Sequence, residues 1–304
     1  MPDTVLRDAA LEQMARVLEE TGHYRVARRF EPRSTYAEPD GTRTYRGLYA
    51  DAETTGLDTE RDEIIQLALL PFEYAPATGR IYTVGEPVVH LEDPGRPLPP
   101  EITALTGISD ADVAGRRIDE EAVAALMASA SLVVAHNAGF DRPILERRMP
   151  AFRELPWACS QVEVPWAEHG VAAAKLEFVL FKHCGMFFEG HRADEDCQAA
   201  LHALATPFAD GELPLGLLLR SSRRRTVRIW ALDAPYDARH ALKARGYRWS
   251  PGEAGRPKAW YVDRREEEVE DEYTWLRMSI YPGRRGAPWR VHSFGAVDRY
   301  SVRV

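Results

Sequence analysis

Tyr49-Ala50-Asp51-Ala52-Glu53-Thr54-Thr55-Gly56-Leu57 is an apolar run that ends in two carboxylates and a Thr-Thr-Gly turn. Strand side chains alternate between faces, so Asp51 and Glu53 leave the same face a few ångströms apart. Two like charges held beside an apolar run are costly, and a divalent cation between them is the simplest remedy. Two later stretches could complete such a site. In His136-Asn137-Ala138-Gly139-Phe140-Asp141, Asp141 falls near the start of a helix, where a carboxylate either caps backbone N–H groups or faces a metal. His191-Arg192-Ala193-Asp194-Glu195-Asp196 opens an apolar helix and, taken alone, is an ordinary acidic helix start. Pro99–Ile108, with proline at its start and glycine near its end, reads as a short helical connection.

The elements that must position these residues follow from periodicity. Gly47–Glu53, Glu63–Phe72 and Arg80–His90 read as a three-strand meander. A helix over Asp119–Ala130, a strand over Ser131–Ala135 and a helix after Asn137 come next. That order predicts an α/β unit with a mixed sheet covered by helices. Residues 5–30 begin with a helical pattern that we expect to pack on this unit as a lead-in, and residues 31–45 read as a loop.

The 304 residues have a formal net charge of −8, which hides a division. Residues 1–214 carry 20 Lys+Arg against 36 Asp+Glu, while residues 215–304 carry 19 against 11. The basic part, with aromatic residues among its arginines, is a candidate surface for nucleic acid. Cys159, Cys184 and Cys197 lack CxxC spacing, which argues against a disulfide framework or a zinc site and for buried thiols in a reducing, cytoplasmic setting. No apolar run approaches a membrane span, and Met1-Pro2-Asp3 does not begin a secretory signal, so we expect a soluble protein without a membrane partner.

Together, Asp51-Ala52-Glu53-Thr54-Thr55-Gly56, His136 to Asp141 and His191 to Asp196, with Leu105-Thr106-Gly107-Ile108 between the first two, resemble the ordered motifs of the DEDDh-type 3′–5′ exonucleases. This is the DnaQ-like family of the proofreading epsilon subunit, with an RNase H-like fold, and the resemblance covers about residues 46–206. It implies that Asp51, Glu53, Asp141 and Asp196 hold two Mg²⁺ or Mn²⁺ ions, and that His191 is the general base. Hard carboxylate ligands suit those ions, and two of them roughly 3.5–4 Å apart can activate water and stabilise the leaving oxygen. By position, Thr54 and Thr55 lie near the terminal sugar and Leu57 against the terminal base. Asn137, with His136, orients the acidic site from behind. Phe140 is either an aromatic wall or core, and we read it as core. Lys175, in the apparent amphipathic helix Lys175–Leu180, reads as surface rather than as a phosphate contact.

The implied substrate is DNA, single-stranded or at 3′ ends, releasing nucleoside 5′-monophosphates in repair, processing or proofreading. The rivals are an RNA-trimming exoribonuclease and a polymerase-associated or DNA-end-binding adaptor. No Gln-x-x-Leu/Met-x-Phe clamp motif follows the nuclease segment, which favours a stand-alone enzyme over a polymerase subunit.

We expect four segments: lead-in 1–45, exonuclease 46–208, linker 209–225, and a small basic α+β domain 226–304. The last should contain strands Thr226–Leu232, Tyr247–Ser250 and Ala259–Asp263, helices Pro235–Arg245 and Arg264–Tyr281, and an edge strand or hairpin within Trp289–Val304. Ala241–Trp249 and Lys258–Val262 loosely resemble a module of plasmid primases and annealing helicases. Trp249, Trp260 and Tyr261 read as core, and Arg223, Arg224, Arg225, Arg245 and Arg248 as phosphate contacts.

Overall fold

In chain order the computed structural model contains α1 (Pro2–Glu20), β1 (Arg28–Arg29), β2 (Tyr45–Thr54), β3 (Ile64–Tyr74), β4 (Ile81–Val84) and β5 (Val88–Leu91). Then come α2 (Pro100–Thr106), α3 (Asp110–Val113), α4 (Glu120–Ser129), β6 (Leu132–Ala135), α5 (Ala138–Arg148), β7 (Trp157–Cys159), α6 (Leu176–Val179), β8 (Met186–Phe187), α7 (Ala193–Ala205) and α8 (Pro214–Ser222). The C-terminal elements are β9 (Thr226–Ala231), α9 (Arg239–Ala244), β10 (Arg248–Pro251), β11 (Lys258–Arg265), α10 (Val269–Trp275) and β12 (Trp289–Phe294). The structure describes residues 2–252 and 255–304.

A mixed sheet runs β4-β3-β2-β6-β7, with β5 also paired to β3. β2 is antiparallel to β3 and parallel to β6, and β6 is parallel to β7. β2 is central, so Leu48, Tyr49 and Ala50 are fully buried. Its two faces belong to different cores. Leu48 and Ala50 pack with Ile144 and Leu145 of α5, whereas Tyr49 packs with Cys197 and Leu201 of α7.

Several expectations need correction. The single strand over Arg80–His90 is split into β4 and β5, because Pro87 has no N–H to donate and the Gly85 N–H turns to the carbonyl of Pro71. The stretch expected as linker 209–225 contains the helix α8, whose Leu215, Leu218 and Leu219 join the α7 core. The helix expected from Arg264 starts later, because β11 runs to Arg265 and the Arg265 N–H is capped by Glu268 at 2.8 Å. Asp263 instead pairs with Arg228. The segment from Lys175 is four α-helical residues followed by a wider turn over Leu180–Cys184.

Helix α1 does form, but it does not bury its apolar stripe. Ala15 is buried, while Met14 is 63% and Val17 57% exposed. What attaches α1 is Arg28, which meets Glu12 at 2.7 Å and Glu19 at 3.3 Å.

The basic segment forms an antiparallel sheet of order β10-β11-β9-β12. Ile229, Leu242, Val262, Leu276 and Trp289 make its own core. Tyr261 and Trp260 are partly buried, whereas Trp249, expected in the core, is 49% exposed. Beyond edge strand β12 the chain returns to the first sheet. Trp157 N–H donates to the carbonyl of Ala296, and fully buried Arg142 donates to the carbonyls of Ala296, Val297 and Arg299. Glu146 balances Arg142 at 2.7 Å, and the pair Arg299–Glu163 at 3.0 Å forms a second bolt.

Candidate active site

The end of β2 carries the acidic pair. Alternation sets Asp51 and Glu53 on the α7 face, and one carboxylate oxygen from each of Asp51, Glu53 and Asp196 lies within 4.8 Å of the others. A register shift between Glu53 and Thr54 ends the regular pairing there. Gln66 stands directly across from Glu53 on β3 and accepts a hydrogen bond from Ala193 N–H at 3.1 Å. That bond satisfies a free donor at the start of α7 and fixes where Asp196, within its first turn, arrives.

Asp196 turns back on the loop before its helix. Its Oδ2 accepts from the N–H groups of His191 at 2.9 Å and Arg192 at 3.0 Å. His191 has a left-handed backbone, with φ of 74°, so the two carboxylate bonds hold a turn that a non-glycine residue rarely adopts. Asp141 approaches from α5 on the other side, and its Oδ1 accepts from Ala52 N–H at 3.2 Å.

Glu177 joins the rim. A Cβ on Gly190 would stand 3.4 Å from Glu177 Oε1 and 3.5 Å from Asp196 Oδ1, so the two carboxylates flank that glycine. Burial opposes charging Glu177, yet its carboxyl is held below the ordinary range by its own backbone N–H, Lys175 and His191. Lys175 meets Glu177 at 3.0 Å and is otherwise exposed.

Asp51 and Glu53 are partly buried. The carboxyl of Asp51 is pushed well above its ordinary range, first by burial and then by Asp141, Asp196 and Glu53. Burial raises Glu53 to about 7. Asp141 is raised to about 8 by burial, with the Ala52 N–H pulling the other way. Asp196 reaches about 7 through burial and then Glu53, against the pull of the His191 and Arg192 N–H groups. The charged groups acting on Asp51 are all acids. Such an all-oxygen, uncompensated donor set fits a hard divalent cation.

A stability prediction follows. These carboxyls bind protons more tightly folded than unfolded, so without metal the fold should lose stability as pH rises from the ordinary carboxylate range towards about 8. Divalent metal should reverse this at the alkaline end. At 100 times its dissociation constant a ligand contributes about 2.7 kcal/mol, or roughly 4 °C in Tm for a chain of this length. Thermal melts with EDTA, Mg²⁺ or Mn²⁺ at about pH 5.5 and about pH 8.5 should show the gain mainly at the higher pH. Equal gains at both would contradict it.

The turn after β2 is internally braced. Thr54 Oγ1 donates to the Gly56 carbonyl at 2.6 Å. Thr55 Oγ1 donates to Asp62 Oδ1 at 2.9 Å while accepting from Glu63 N–H at 3.1 Å and Arg96 Nη2 at 2.8 Å, which exhausts its capacity. A Cβ on Gly56 would stand 2.5 Å from Asp62 Oδ2, so only glycine lets the turn close on Asp62. Leu57 sits at the tip, 87% exposed. Phe140 is half-buried against the α5 core, and Asn137 is exposed with φ of 69° at the entry to α5.

His136 spends both ring nitrogens on neutral partners. Its Nε2 meets the Ala174 carbonyl at 2.7 Å and so carries the proton, leaving Nδ1 to accept from Ser160 Oγ at 2.9 Å. Burial lowers its pKa, which favours this neutral form. Gln66, Glu177 and Arg96 escaped sequence reasoning, and no local signal marks them.

The profile of the exonuclease family RNase_T matches residues 48–204. The chain belongs to that family. The protein is thus an exonuclease, and its ordered acidic motifs group it with the metal-dependent 3′–5′ enzymes of RNase H-like fold. Over 191 residues it is 24% identical to DNA polymerase III subunit epsilon of Treponema pallidum (strain Nichols), covering 59% of this chain and 83% of that one. Over 107 residues it is 39% identical to a DNA polymerase III subunit epsilon-like protein of Rhodobacter capsulatus, covering 32% of this chain and only 14% of the relative. Among solved structures, exonuclease X in complex with 5′ overhanging duplex DNA is 26% identical with a TM-score of 0.39, covering 56% of this chain and 99% of that one. The zinc-bound E. coli ExoI–ssDNA complex is 16% identical with a TM-score of 0.48, covering 73% and 63%. Among the described residues no helix is long and apolar enough to cross a membrane.

Proposed function

We propose that this exonuclease shortens DNA from the 3′ end and releases nucleoside 5′-monophosphates. The observation that carries the reading is the convergence of Asp51, Glu53 and Asp196 on one face, with Asp141 bordering them and only acids acting on Asp51. These four residues would hold two divalent ions, Mg²⁺ or Mn²⁺. Such ions supply charge neutralisation at the phosphate and at the departing 3′-oxygen, and lower the pKa of bound water.

The chain's own groups do the rest. His191 takes the proton of the attacking water at an imidazole nitrogen. Leu57, exposed at the tip of a turn braced by Thr54, Thr55 and Arg96, packs against the terminal base. Backbone groups beside Thr54 and Thr55 face the sugar, and Asn137 and Phe140 border the entry of Asp141. Residues 46–208 would form the nuclease unit after lead-in 1–45, and 226–304 a basic accessory unit joined through 209–225.

The basic C-terminal sheet supports a stand-alone repair or processing enzyme, with association to a DNA polymerase as the alternative. Three free thiols suit the cytoplasm. Matched 5′-labelled DNA and RNA strands with Mg²⁺ or Mn²⁺ provide the test. We expect a one-nucleotide ladder from the 3′ end of DNA and a slower one on RNA. Preferential trimming of RNA would overturn the DNA assignment, and no release from either would overturn catalysis.

A further inference from the structure

A cleft of about 440 Å³ lies where the β10-β11-β9-β12 sheet meets α5 and the returning C-terminal segment. Arg224, Arg225, Arg248, Arg256 and Arg265 line it, with Gly139 and Pro143 of α5 on the opposite wall. The two acids in its lining are already neutralised. Asp263 is held by Arg228 through bonds of 2.7 and 2.9 Å, and Glu163 by Arg299 at 3.0 Å. With Arg228 and Arg299 of the lining spent on those acids, the other five arginines leave a surplus of positive charge, offset in part by Glu267 at 3.4 Å from Arg224 and by the second contact of Asp263, 3.2 Å from Arg248.

Two arginines marked from sequence as phosphate contacts are engaged elsewhere. Arg223 donates to the carbonyl of Pro76, and Arg245 pairs with buried Glu272 at 3.2 Å. Arg256 and Arg265 were not marked, yet both line the cleft. Arg256 Nε is buried and meets no acceptor among the described residues.

We propose that this cleft holds the phosphodiester backbone of a single nucleic-acid strand on the 5′ side of the nucleotide being removed. The location of that nucleotide rests on the nuclease reading above. Three observations favour a strand over a small anion. One phosphate needs one or two guanidiniums, whereas five arginines from four separate places in the chain suit a repeating anion. The cleft also begins on the helical turn that carries the acid site, because Gly139 faces the cleft while Asp141, two residues later, bonds to β2. Finally, the Tyr261 ring is occupied, with Arg228 at 4.7 Å and Arg248 at 4.9 Å from its centroid, so it steadies guanidiniums instead of stacking on a base. Recognition through phosphates alone makes the grip independent of sequence.

The test uses the full chain with Arg224, Arg225 and Arg248 changed together to alanine, and the same three changed to lysine. Anisotropy of labelled DNA strands of about 4 and about 16 nucleotides is measured in EDTA across salt concentrations, beside hydrolysis of the same strands with Mn²⁺. The alanine variant should bind the longer strand roughly 10-fold more weakly or worse, with a log–log salt slope shallower by about 2, from about 0.7 per lost phosphate contact. Its hydrolysis of the short strand should match the parent, and the lysine variant should recover most of the slope. An unchanged slope overturns the cleft assignment, as does equal loss on both strand lengths. Binding is read without metal or turnover, so arginine-dependent binding by a protein that hydrolyses nothing would leave the cleft standing and sink the nuclease reading alone.

Discussion

Asp51→Asn should reduce nucleotide release by roughly 10³-fold or more, the scale of a single preorganised charged group at a reacting centre. Asp51 is the acid on which the others act, since its carboxyl is raised by burial and by Asp141, Asp196 and Glu53 together. Asparagine keeps the shape and removes the charge that a divalent ion would meet. The same change relieves repulsion among the remaining acids, so the variant should fold at least as stably as the parent in EDTA while losing most of the metal-induced rise in Tm. That combination separates lost chemistry from lost structure. Full nucleotide release by Asp51→Asn would remove this residue from the metal site.

The second large effect lies away from the acids. Arg142→Met should destabilise the fold by about 3–5 kcal/mol, the usual result of breaking a buried ion pair from one side. Arg142 is wholly buried, pairs with Glu146 at 2.7 Å and serves three carbonyls of the C-terminal segment. The single variant leaves Glu146 with Ser301 at 2.6 Å and Arg303 at 3.5 Å as its remaining partners. Changing Glu146 to Met as well should recover much of the loss, because apolar replacement of both partners is often near neutral. Thermal melts of the two singles and the double form the cycle. A shift within measurement error for Arg142→Met would show that the contact contributes nothing.

Much of the acid site was legible because its signals are local. Asp51 and Glu53 share a strand face by alternation, and Asp141 and Asp196 each close a motif within the first turn of a helix that begins two residues into it. The mixed sheet was legible for the same reason, through apolar strands alternating with helical patterns. What escaped depends on partners far apart in sequence. Gln66 reaches Ala193, and Arg142 reaches Arg299, across separations that no periodicity encodes. The helix α8 lies within the expected linker because Leu213–Leu219 is apolar almost throughout and shows no helical periodicity, and its burial against α7 appears only with the fold. Thr55 falls by position near the terminal sugar, yet its hydroxyl is spent on Asp62, Glu63 and Arg96, contacts that sequence does not encode.

The return of the chain onto α5 means that homology and foldability have different borders in this protein. The exonuclease profile stops at residue 204, but α5 inside it borrows carbonyls from residues 296–299 to satisfy a guanidinium that never meets water. A fragment cut at the family boundary would retain every motif, yet it would uncover that cation and strip it of three of its acceptors. The two sheets, each with its own core, are thus tied together through α5, and the helix that bears Asp141 has its far side finished by the last residues of the chain.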